Sequence, residues 1–263
     1  MSDYLKAAEL FETSLDTSCY FESIVSEHTK NRLLKTIEKK NIALIFLLGE
    51  PGVGKSYMLE VLQKSFSPQK KVLFSSEPFA TPESLLLFLL EGDADASSLG
   101  VVELKERVIK KFQQSDNIII LDEAQLLSSV VLEYIRILSD TKHFTFLLSM
   151  HKNEGEAIVK KSHFASRNNV VINMSGLKKD EISNYLKSQL QRNALESIAE
   201  LFKKKQINEL MVLSKGNFRV LKQLLKHTFM IMDYAKKNAH QKYTQPTLFV
   251  ITMAAIDLGV IDV

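Results

Sequence analysis

The segment GEPGVGKS, Gly49–Ser56, constrains this chain more than any other because it matches the whole pattern G-x-x-x-x-G-K-[ST]. An almost unbroken apolar run, 41–48, precedes it and a helical pattern follows it. Glycines allow successive backbone N–H groups to converge on phosphate oxygens, and the helix directs its positive end at the same anion. The segment therefore predicts a phosphate-binding loop in an α/β fold. The predicted nucleotide-binding residues are Gly49, Glu50, Pro51, Gly52, Val53, Gly54, Lys55, Ser56 and Tyr57.

A second motif, IIILDE at 118–123, completes the predicted site. Its four apolar residues predict a central strand, and its two acids follow at the carboxyl end, where ligands of open α/β sheets bind. Asp122 is predicted to hold Mg²⁺ together with the Ser56 hydroxyl, while Lys55 reaches the β- and γ-phosphates of ATP. Glu123 is predicted to orient and deprotonate the attacking water. ATP and Mg²⁺ are the cofactors that these two motifs imply.

Short apolar runs alternate with helical patterns through the first two thirds of the chain. This alternation is typical of βαβ units and predicts a doubly wound parallel sheet of five strands. The clearest helix start is Thr81, an N-cap residue, followed by Pro82 at the first helical position. The predicted strands lie in 41–48, 71–74, 117–121, 144–148 and 169–172, and the predicted helices between them in 55–66, 82–91, 101–114 and 125–139.

After Met174 no strand-like run follows in the sequence, and helical periodicity takes over. Helices are predicted at 178–191, 194–214 and 218–237, with 215–217 (KGN) as the break between the last two. The chain is therefore predicted to consist of an α/β core followed by a small α-helical lid domain. The predicted boundaries are 1–20 for an N-terminal helical extension, 21–174 for the core, 175–240 for the lid and 241–263 for a C-terminal tail.

Composition excludes several classes of protein. The single cysteine, Cys19, rules out an internal disulfide and a Cys-rich zinc site, and it favours a reducing cytoplasm. The most apolar run, 84–90, is far shorter than the roughly 20 residues that span a bilayer, and the first residues do not resemble a secretory signal. Charge is uneven, since 175–242 carries 14 Lys and Arg against 6 Asp and Glu. We therefore expect a cytoplasmic protein with a basic helical part.

The residues around the second motif resemble those of one ATPase family. Asp122–Gln125 (DEAQ), two leucines and the helix pattern LEYIRILS at 132–139 are similar to AAA+ ATPases of the general secretion pathway A (ExeA) type. The likeness extends back to Phe21 and forward through LKKDEI at 177–182 to Phe229. It implies a P-loop NTPase of the AAA+ class, with a helical lid, that hydrolyses ATP as a homo-oligomer. It also implies a protein partner in secretion, pilus or DNA-uptake machinery, and a location in the cytoplasm or at the periphery of the inner membrane.

Three further site residues follow from this resemblance. After the fourth strand the family has Gly-Gln-Pro-Glu-Leu where this chain has SMHKN, so the sensor of the γ-phosphate is assigned to Ser149, with His151 as the alternative. Arg167 precedes the last strand, where AAA+ proteins place an arginine that reaches a neighbouring subunit's γ-phosphate; a surface arginine is the alternative. Arg219, in the segment GNFR, is similar to the lid arginine of AAA+ proteins, with a plain helix-start arginine as the alternative.

Two other functions stay open. The first is a DNA-acting ATPase of the transposition or replication type, which a basic lid containing Lys203–Lys205 favours, although a solvated lysine face is the simpler interpretation. The residues after the lid are expected to be too few for a winged-helix DNA-binding domain, which counts against it. The second is a nucleotide-gated scaffold that binds ATP with little turnover. The pair Asp122 and Glu123 counts against that function, because binding alone does not need the second carboxylate.

Overall fold

The computed structural model describes residues 2–12, 21–39, 41–66, 70–113, 117–161, 164 and 168–261. The chain divides into two compact units. The sheet unit consists of Ser26–Gly49 and Lys55–Met174, and the helical unit of Met1–Val25, Glu50–Gly54 and Ser175–Val263. Five residues of the phosphate loop thus fall in the helical unit, whereas the residues on either side of them fall in the sheet unit.

A parallel five-stranded sheet forms the centre of the sheet unit, as far as the structure describes it. The strands are β1 (Leu44–Gly49), β2 (Lys71–Ser75), β3 (Asn117–Leu121), β4 (Phe144–His151) and β5 (Asn169–Asn173). Their spatial order is β2-β3-β4-β1-β5, and each neighbouring pair is parallel, which confirms the predicted α/β class. Every residue of β1 and β3 is buried, as expected for central strands that are covered on both faces.

Side-chain alternation along the strands gives the sheet two different faces. Phe46, Ile119 and Phe146 lie on one face, in the main apolar core of the sheet unit. The opposite face carries Ser149 of β4 and, one residue beyond β3, Asp122. Polar side chains at the carboxyl ends of two neighbouring strands therefore lie on the same face of the sheet.

The helices of both units account for most of the remaining described residues. They are α1 (Asp3–Leu10), α2 (Ile24–Ile37), α3 (Lys55–Lys64), α4 (Pro82–Leu89), α5 (Val101–Lys111), α6 (Ser129–Asp140), α7 (Lys152–Val159), α8 (Lys179–Arg192), α9 (Glu196–Ala199), α10 (Lys204–Ser214), α11 (Phe218–Lys237) and α12 (Leu248–Asp257).

The predicted start of α4 is confirmed. Thr81 is the N-cap residue, and its hydroxyl accepts a hydrogen bond from the Ser84 backbone N–H at 3.3 Å. Pro82 occupies the first helical position, where its missing N–H is not needed.

Two features of the sheet unit differ from the sequence prediction. The helix expected at 125–139 begins only at Ser129, because Ala124–Leu126 form a 3₁₀ turn and the Ser128 hydroxyl caps α6. The sequence pattern does not predict α7, which contains Gly155, a poor helix former. A side chain at position 155 would collide with Leu48 of β1, so glycine is needed here for close packing rather than for helix propensity.

Aromatic residues organise the core of the helical unit. Phe11, next to α1, stacks on Phe229 of α11 with ring centroids 5.7 Å apart and meets the edge of Tyr185 of α8 at 5.9 Å. Tyr185 also packs against Phe21. These contacts connect N-terminal residues to α8 and α11, so the N-terminal residues are part of this unit's core.

One predicted helix in the helical unit is wrong and another is confirmed. The stretch 194–214 is not a single helix: the chain leaves α9 and turns so that Phe202 is buried, and α10 starts afresh at Lys204. Gln206 stabilises the new start because its side chain accepts the Lys203 backbone N–H at 3.1 Å. The helix predicted at 218–237 is α11, with the same bounds. Within the described ranges, none of the helices combines the length and apolarity needed to cross a bilayer.

Candidate functional site

The phosphate loop begins at the carboxyl end of β1 and leads into α3. Lys55, the first residue of α3, is buried, and its ammonium group donates a hydrogen bond to the Gly49 carbonyl oxygen at 2.8 Å. The side chain thus folds back towards the start of its own motif. Ser56 and Tyr57 follow in the first turn of α3. A buried cation at a helix N-terminus creates a strongly positive environment, which suits a bound phosphate.

Two glycines of the loop have backbone conformations that other residues rarely adopt. Gly52 has a φ angle of 80° and Gly54 one of 103°. A Cβ atom on Gly52 would also lie only 2.6 Å from the Asn217 side-chain oxygen. The spacing of the glycines in the motif is therefore explained by conformation at both positions and by space at one of them.

The loop is hydrogen bonded within the helical unit to the start of α11. Asn217 Nδ2 donates to the Pro51 carbonyl oxygen at 2.6 Å, and the Arg219 backbone N–H donates to the Gly52 carbonyl oxygen at 3.1 Å. The Asn217 Oδ1 atom also caps α11, since it accepts the N–H groups of Arg219 at 3.1 Å and Val220 at 3.2 Å. One asparagine side chain therefore serves both the helix and the loop. Sequence reasoning missed this residue, although an asparagine directly before a helical pattern is a common N-cap signal.

The two carboxylates of the second motif follow β3 directly. Asp122 is buried, its backbone N–H donates to the Ser75 carbonyl oxygen at 2.9 Å, and its Oδ1 atom accepts the Glu123 backbone N–H at 2.9 Å. Glu123 has a left-handed backbone conformation with φ 49° and ψ 34°, which is uncommon for a residue with a side chain. Its side chain is 37% exposed. The pair therefore consists of one enclosed carboxylate and one that water can reach.

The end of β4 supplies two further polar side chains. Because Leu121 pairs with Leu148, the next residues along, Asp122 and Ser149, lie side by side on neighbouring strands. Ser149 is fully buried, and within the described part of the chain its hydroxyl oxygen has no hydrogen-bond partner. His151, the last residue of β4, has its Nε2 atom 3.5 Å from Glu123 Oε2.

Gln125 contacts both Glu123 and His151, and the sequence reasoning assigned it no role at the site. Its side-chain Nε2 donates to Glu123 Oε2, and its Oε1 accepts the His151 backbone N–H at 3.2 Å. The available signal was the polar residue two positions after Glu123 in the DEAQ segment. Its contact with β4 could not be read from the sequence, because it depends on the pairing of strands that are far apart in the chain.

The donor set at the carboxyl edge of the sheet fits the predicted magnesium ion. Ser56 offers a hydroxyl oxygen and Asp122 a carboxylate, and Mg²⁺ prefers hard oxygen ligands of this kind. The buried, unpaired Ser149 hydroxyl adds a polar group beside Asp122 that a bound ligand would satisfy.

The predicted site residues fall into three groups. Gly49, Lys55, Ser56, Tyr57, Asp122, Glu123 and Ser149 belong to the sheet unit, Glu50–Gly54 and Arg219 belong to the helical unit, and Arg167 lies outside the described residues. Arg219 occupies the first turn of α11 and is exposed.

Comparison with known proteins agrees with the class that the fold and the motifs define. Residues 38–158 match the family model of an AAA domain. Together with the parallel sheet and the phosphate loop, this match gives the chain an AAA+ type of P-loop NTPase fold. A search of curated protein sequences finds no match.

Solved structures support the same fold. The Walker-type ATPase of Pyrococcus abyssi superposes with a TM-score of 0.61 at 15% identity, over 95% of this chain and 76% of that one. Drosophila ORC bound to DNA superposes with a TM-score of 0.61 at 11% identity, over 98% of this chain and 66% of that one. Cdc6p from Pyrobaculum aerophilum superposes with a TM-score of 0.58 at 15% identity, over 88% of this chain and 66% of that one. The chain thus spans only about two thirds of the last two structures. At these identities the similarity concerns the fold alone.

Proposed function

We propose that this chain binds ATP with Mg²⁺ and hydrolyses the bond to the γ-phosphate. The observation that carries the proposal is the pair of carboxylates at the carboxyl edge of the sheet, with Asp122 enclosed and Glu123 accessible to water. The same sheet leads through β1 into a loop with the complete phosphate-binding pattern. A binding-only module would need the loop but not an accessible second carboxylate.

Binding relies on the loop and on the beginning of α3. Backbone N–H groups of the loop and the N-terminus of α3 attract the phosphates, and Lys55 exchanges its bond to the Gly49 carbonyl for phosphate oxygens. Ser56 and Asp122 would hold the metal ion. Bound Mg²⁺ would neutralise charge on the phosphate oxygens.

The hydrolytic step relies on Glu123, which accepts a proton from the attacking water as its oxygen bonds to the γ-phosphorus. The bond from that phosphorus to the β,γ-bridging oxygen breaks, and ADP leaves with the electron pair. Ser149 is our first choice for a hydrogen-bond donor that senses the γ-phosphate, since its buried hydroxyl has no partner among the described residues. His151 is the second choice. Arg219, and Arg167 from a neighbouring copy, would stabilise negative charge on the phosphates.

Two substitutions test the proposal in a steady-state ATPase assay combined with measurement of nucleotide affinity. Glu123→Gln keeps the shape of the side chain but removes the base, so turnover falls by about 10²–10⁴-fold while ATP still binds. Lys55→Ala should instead lower the affinity for ATP, because it removes the cation that contacts the phosphates. A wild-type rate no higher than that of Glu123→Gln would reject hydrolysis and favour the nucleotide-gated scaffold.

The class of partner is a further part of the proposal. The resemblance to the general secretion pathway A type favours ATP-driven assembly or remodelling of a secretion, pilus or DNA-uptake complex at the inner membrane by a homo-oligomer. In that case the chain would be cytoplasmic or peripheral at that membrane. Copurification with inner-membrane vesicles that depends on ATP would support this partner class, and equal recovery with Lys55→Ala would speak against it.

A DNA-acting ATPase is the second candidate. The charge distribution supports it, since 175–242 has a net charge of +8 and Lys203–Lys205 are exposed. Two solved structures of similar fold also concern DNA, namely Drosophila ORC bound to DNA and the RuvB Holliday junction branch migration motor of Thermotoga maritima.

Salt-dependent DNA binding tests the second candidate. Replacing Lys203, Lys204 and Lys205 by alanine should flatten the slope of log K against log salt by about 0.9 for each DNA phosphate that these lysines neutralise. The matched control replaces the exposed lysines Lys35, Lys39 and Lys110 of the sheet unit, which changes the net charge equally. If both triple variants gave the same slope of log K against log salt, DNA binding would depend on net charge and not on Lys203–Lys205.

A further inference from the structure

We propose that Gln125 is a positioning residue for Glu123, and that its side-chain amide ties the catalytic carboxylate to the end of β4. This inference rests on the proposed function, in which Glu123 acts on the attacking water. It concerns only residues of the sheet unit. The amide donates to Glu123 Oε2 and accepts the His151 backbone N–H at 3.2 Å, so one planar group connects the ends of two neighbouring strands.

The orientation of the Gln125 amide is determined by its partners. A backbone N–H can only donate, so the atom that faces His151 must be the amide oxygen. The amide nitrogen then necessarily faces Glu123 and donates to its carboxylate. Because both ends of the amide are engaged, Gln125 holds the carboxylate in one direction rather than merely lying near it.

Glu123 has few other restraints on its side chain. It lies in a left-handed backbone conformation at the start of a tight turn, in which its carbonyl oxygen accepts the Leu126 N–H at 2.9 Å. Its side chain is more than a third exposed and carries several rotatable bonds. A general base must be held within hydrogen-bond reach of the water that it deprotonates. Gln125 supplies such a restraint, and fully buried Ala124 anchors the turn that carries it.

His151 adds a second contact to the same carboxylate oxygen. Its Nε2 atom is 3.5 Å from Glu123 Oε2, and its backbone is held by pairing with Gly49 in the ladder between β1 and β4. The position of the carboxylate therefore depends on the strand that ends at the phosphate loop as well as on β3. The spacing of the DEAQ segment matters for this contact, because it places Gln125 in the 3₁₀ turn Ala124–Leu126, from which its side chain reaches His151 of β4.

Two substitutions of Gln125 separate positioning from packing. Gln125→Met keeps the length of the side chain but removes both hydrogen bonds. Gln125→Glu keeps an acceptor for the His151 N–H but puts a carboxylate beside Glu123. We expect the kcat of both variants to fall at least tenfold while the KM for ATP stays within twofold. Gln191→Met, an exposed glutamine on α8, is the matched control and should retain the wild-type rate.

The interaction between Gln125 and Glu123 can also be measured without turnover, which separates its failure from failure of the proposed function. The carboxyl carbon of Glu123 is observed by NMR at a single neutral pH in ¹³C-glutamate-labelled protein and assigned through Glu123→Gln. Loss of the amide donor in Gln125→Met should shift this resonance even if the wild type hydrolyses no ATP, whereas Gln191→Met should leave it in place. An unchanged Glu123 resonance in folded Gln125→Met would overturn the inference, and so would a wild-type kcat in both variants of an active enzyme.

Discussion

Buried hydroxyl groups without hydrogen-bond partners are uncommon in folded proteins, because each costs about 1–3 kcal/mol of desolvation. Among the described residues, Ser149 and Thr228 both bury such an oxygen. The two differ in surroundings. Ser149 lies beside Asp122 at the carboxyl end of the sheet, whereas Thr228 lies within α11 in the helical unit. At the proposed ATP site, such an unsatisfied group is expected to gain its partner from the ligand.

Ser149→Ala should therefore have opposite effects on stability and activity. Removing the unpaired hydroxyl leaves the free energy of unfolding unchanged or raises it by about 1 kcal/mol. Turnover should fall at least tenfold if Ser149 senses the γ-phosphate. Urea unfolding and ATPase assays measure the two effects.

Thr228→Val provides the control, since it removes the other unpaired hydroxyl at nearly constant volume. Its free energy of unfolding should also stay unchanged or rise by about 1 kcal/mol, and its turnover should equal that of the wild type. If Ser149→Ala kept full activity, the sensor would have to be assigned to His151 instead.

At the scale of single elements, the residues that cap two helix starts also make contacts with distant parts of the chain. Asn217 caps α11 and also bonds to the Pro51 carbonyl oxygen of the phosphate loop. Ser2 caps α1, and its hydroxyl donates to Asp233 of α11. In both cases a short polar side chain satisfies orphan backbone groups and makes one long-range contact.

Asn217→Asp separates the two roles of that residue. Aspartate is as good an N-cap as asparagine, so the stability of the helical unit should change by less than about 0.5 kcal/mol. It has no N–H to donate to Pro51, so the loop loses a bond and nucleotide affinity should fall about fivefold to tenfold. Calorimetric titration with ADP checks the affinity.

Asn217→Ala loses both roles and should also lower the free energy of unfolding by about 1 kcal/mol. Wild-type ADP affinity in Asn217→Asp would mean that the hydrogen bond to Pro51 does not help to form the site.

Asp233 gives the helical unit a predictable dependence on pH. The pKa of its carboxyl group is lowered from the ordinary value of 3.8, first by the hydrogen bond from Lys237 and then by that from Ser2. A lowered pKa in the folded state means that the group stabilises the protein above its unfolded pKa, and that this stabilisation is lost as pH falls through the folded value. Asp233→Asn should therefore lower the free energy of unfolding by about 1 kcal/mol at neutral pH.

The difference between Asp233→Asn and the wild type should shrink towards zero in strong acid, as measured by urea unfolding at several pH values. Gln191→Met, an uncharged substitution elsewhere in the helical unit, is the control and should differ from the wild type by the same amount at every pH. A difference independent of pH would assign the effect to packing instead of charge.

At the scale of the whole molecule, the main prediction concerns assembly. If Arg167 of one copy completes the site of a neighbour, the ATPase rate per molecule should rise steeply with protein concentration. Arg167→Ala should abolish this rise while ATP still binds. Rates measured over a wide concentration range, with light scattering on the same samples, check the expectation. If the ATPase rate per molecule did not change with protein concentration, and Arg167→Ala had the wild-type rate, the chain would be a monomeric nucleotide switch.

Much of the fold could be predicted because its signals are local. The five strands are apolar runs that end in turn residues, and the phosphate loop lies between a strand and a helix, as its pattern requires. Prediction failed where tertiary packing overrode local preference. Gly155 weakens α7 as an isolated helix but allows close packing on Leu48, and burial of Phe202 breaks the continuous helical pattern of 194–214.

The same division applies to the candidate site. The sequence by itself determined the phosphate loop, the two carboxylates and their place at the carboxyl end of a strand, because each depends on residues within a few positions of one another. Only the tertiary structure decided that Gln125 reaches His151, that Ser149 lies beside Asp122 and that Asn217 holds the loop. These contacts join segments separated by 26 to 166 residues, and they exist only once strand register and helix packing have formed.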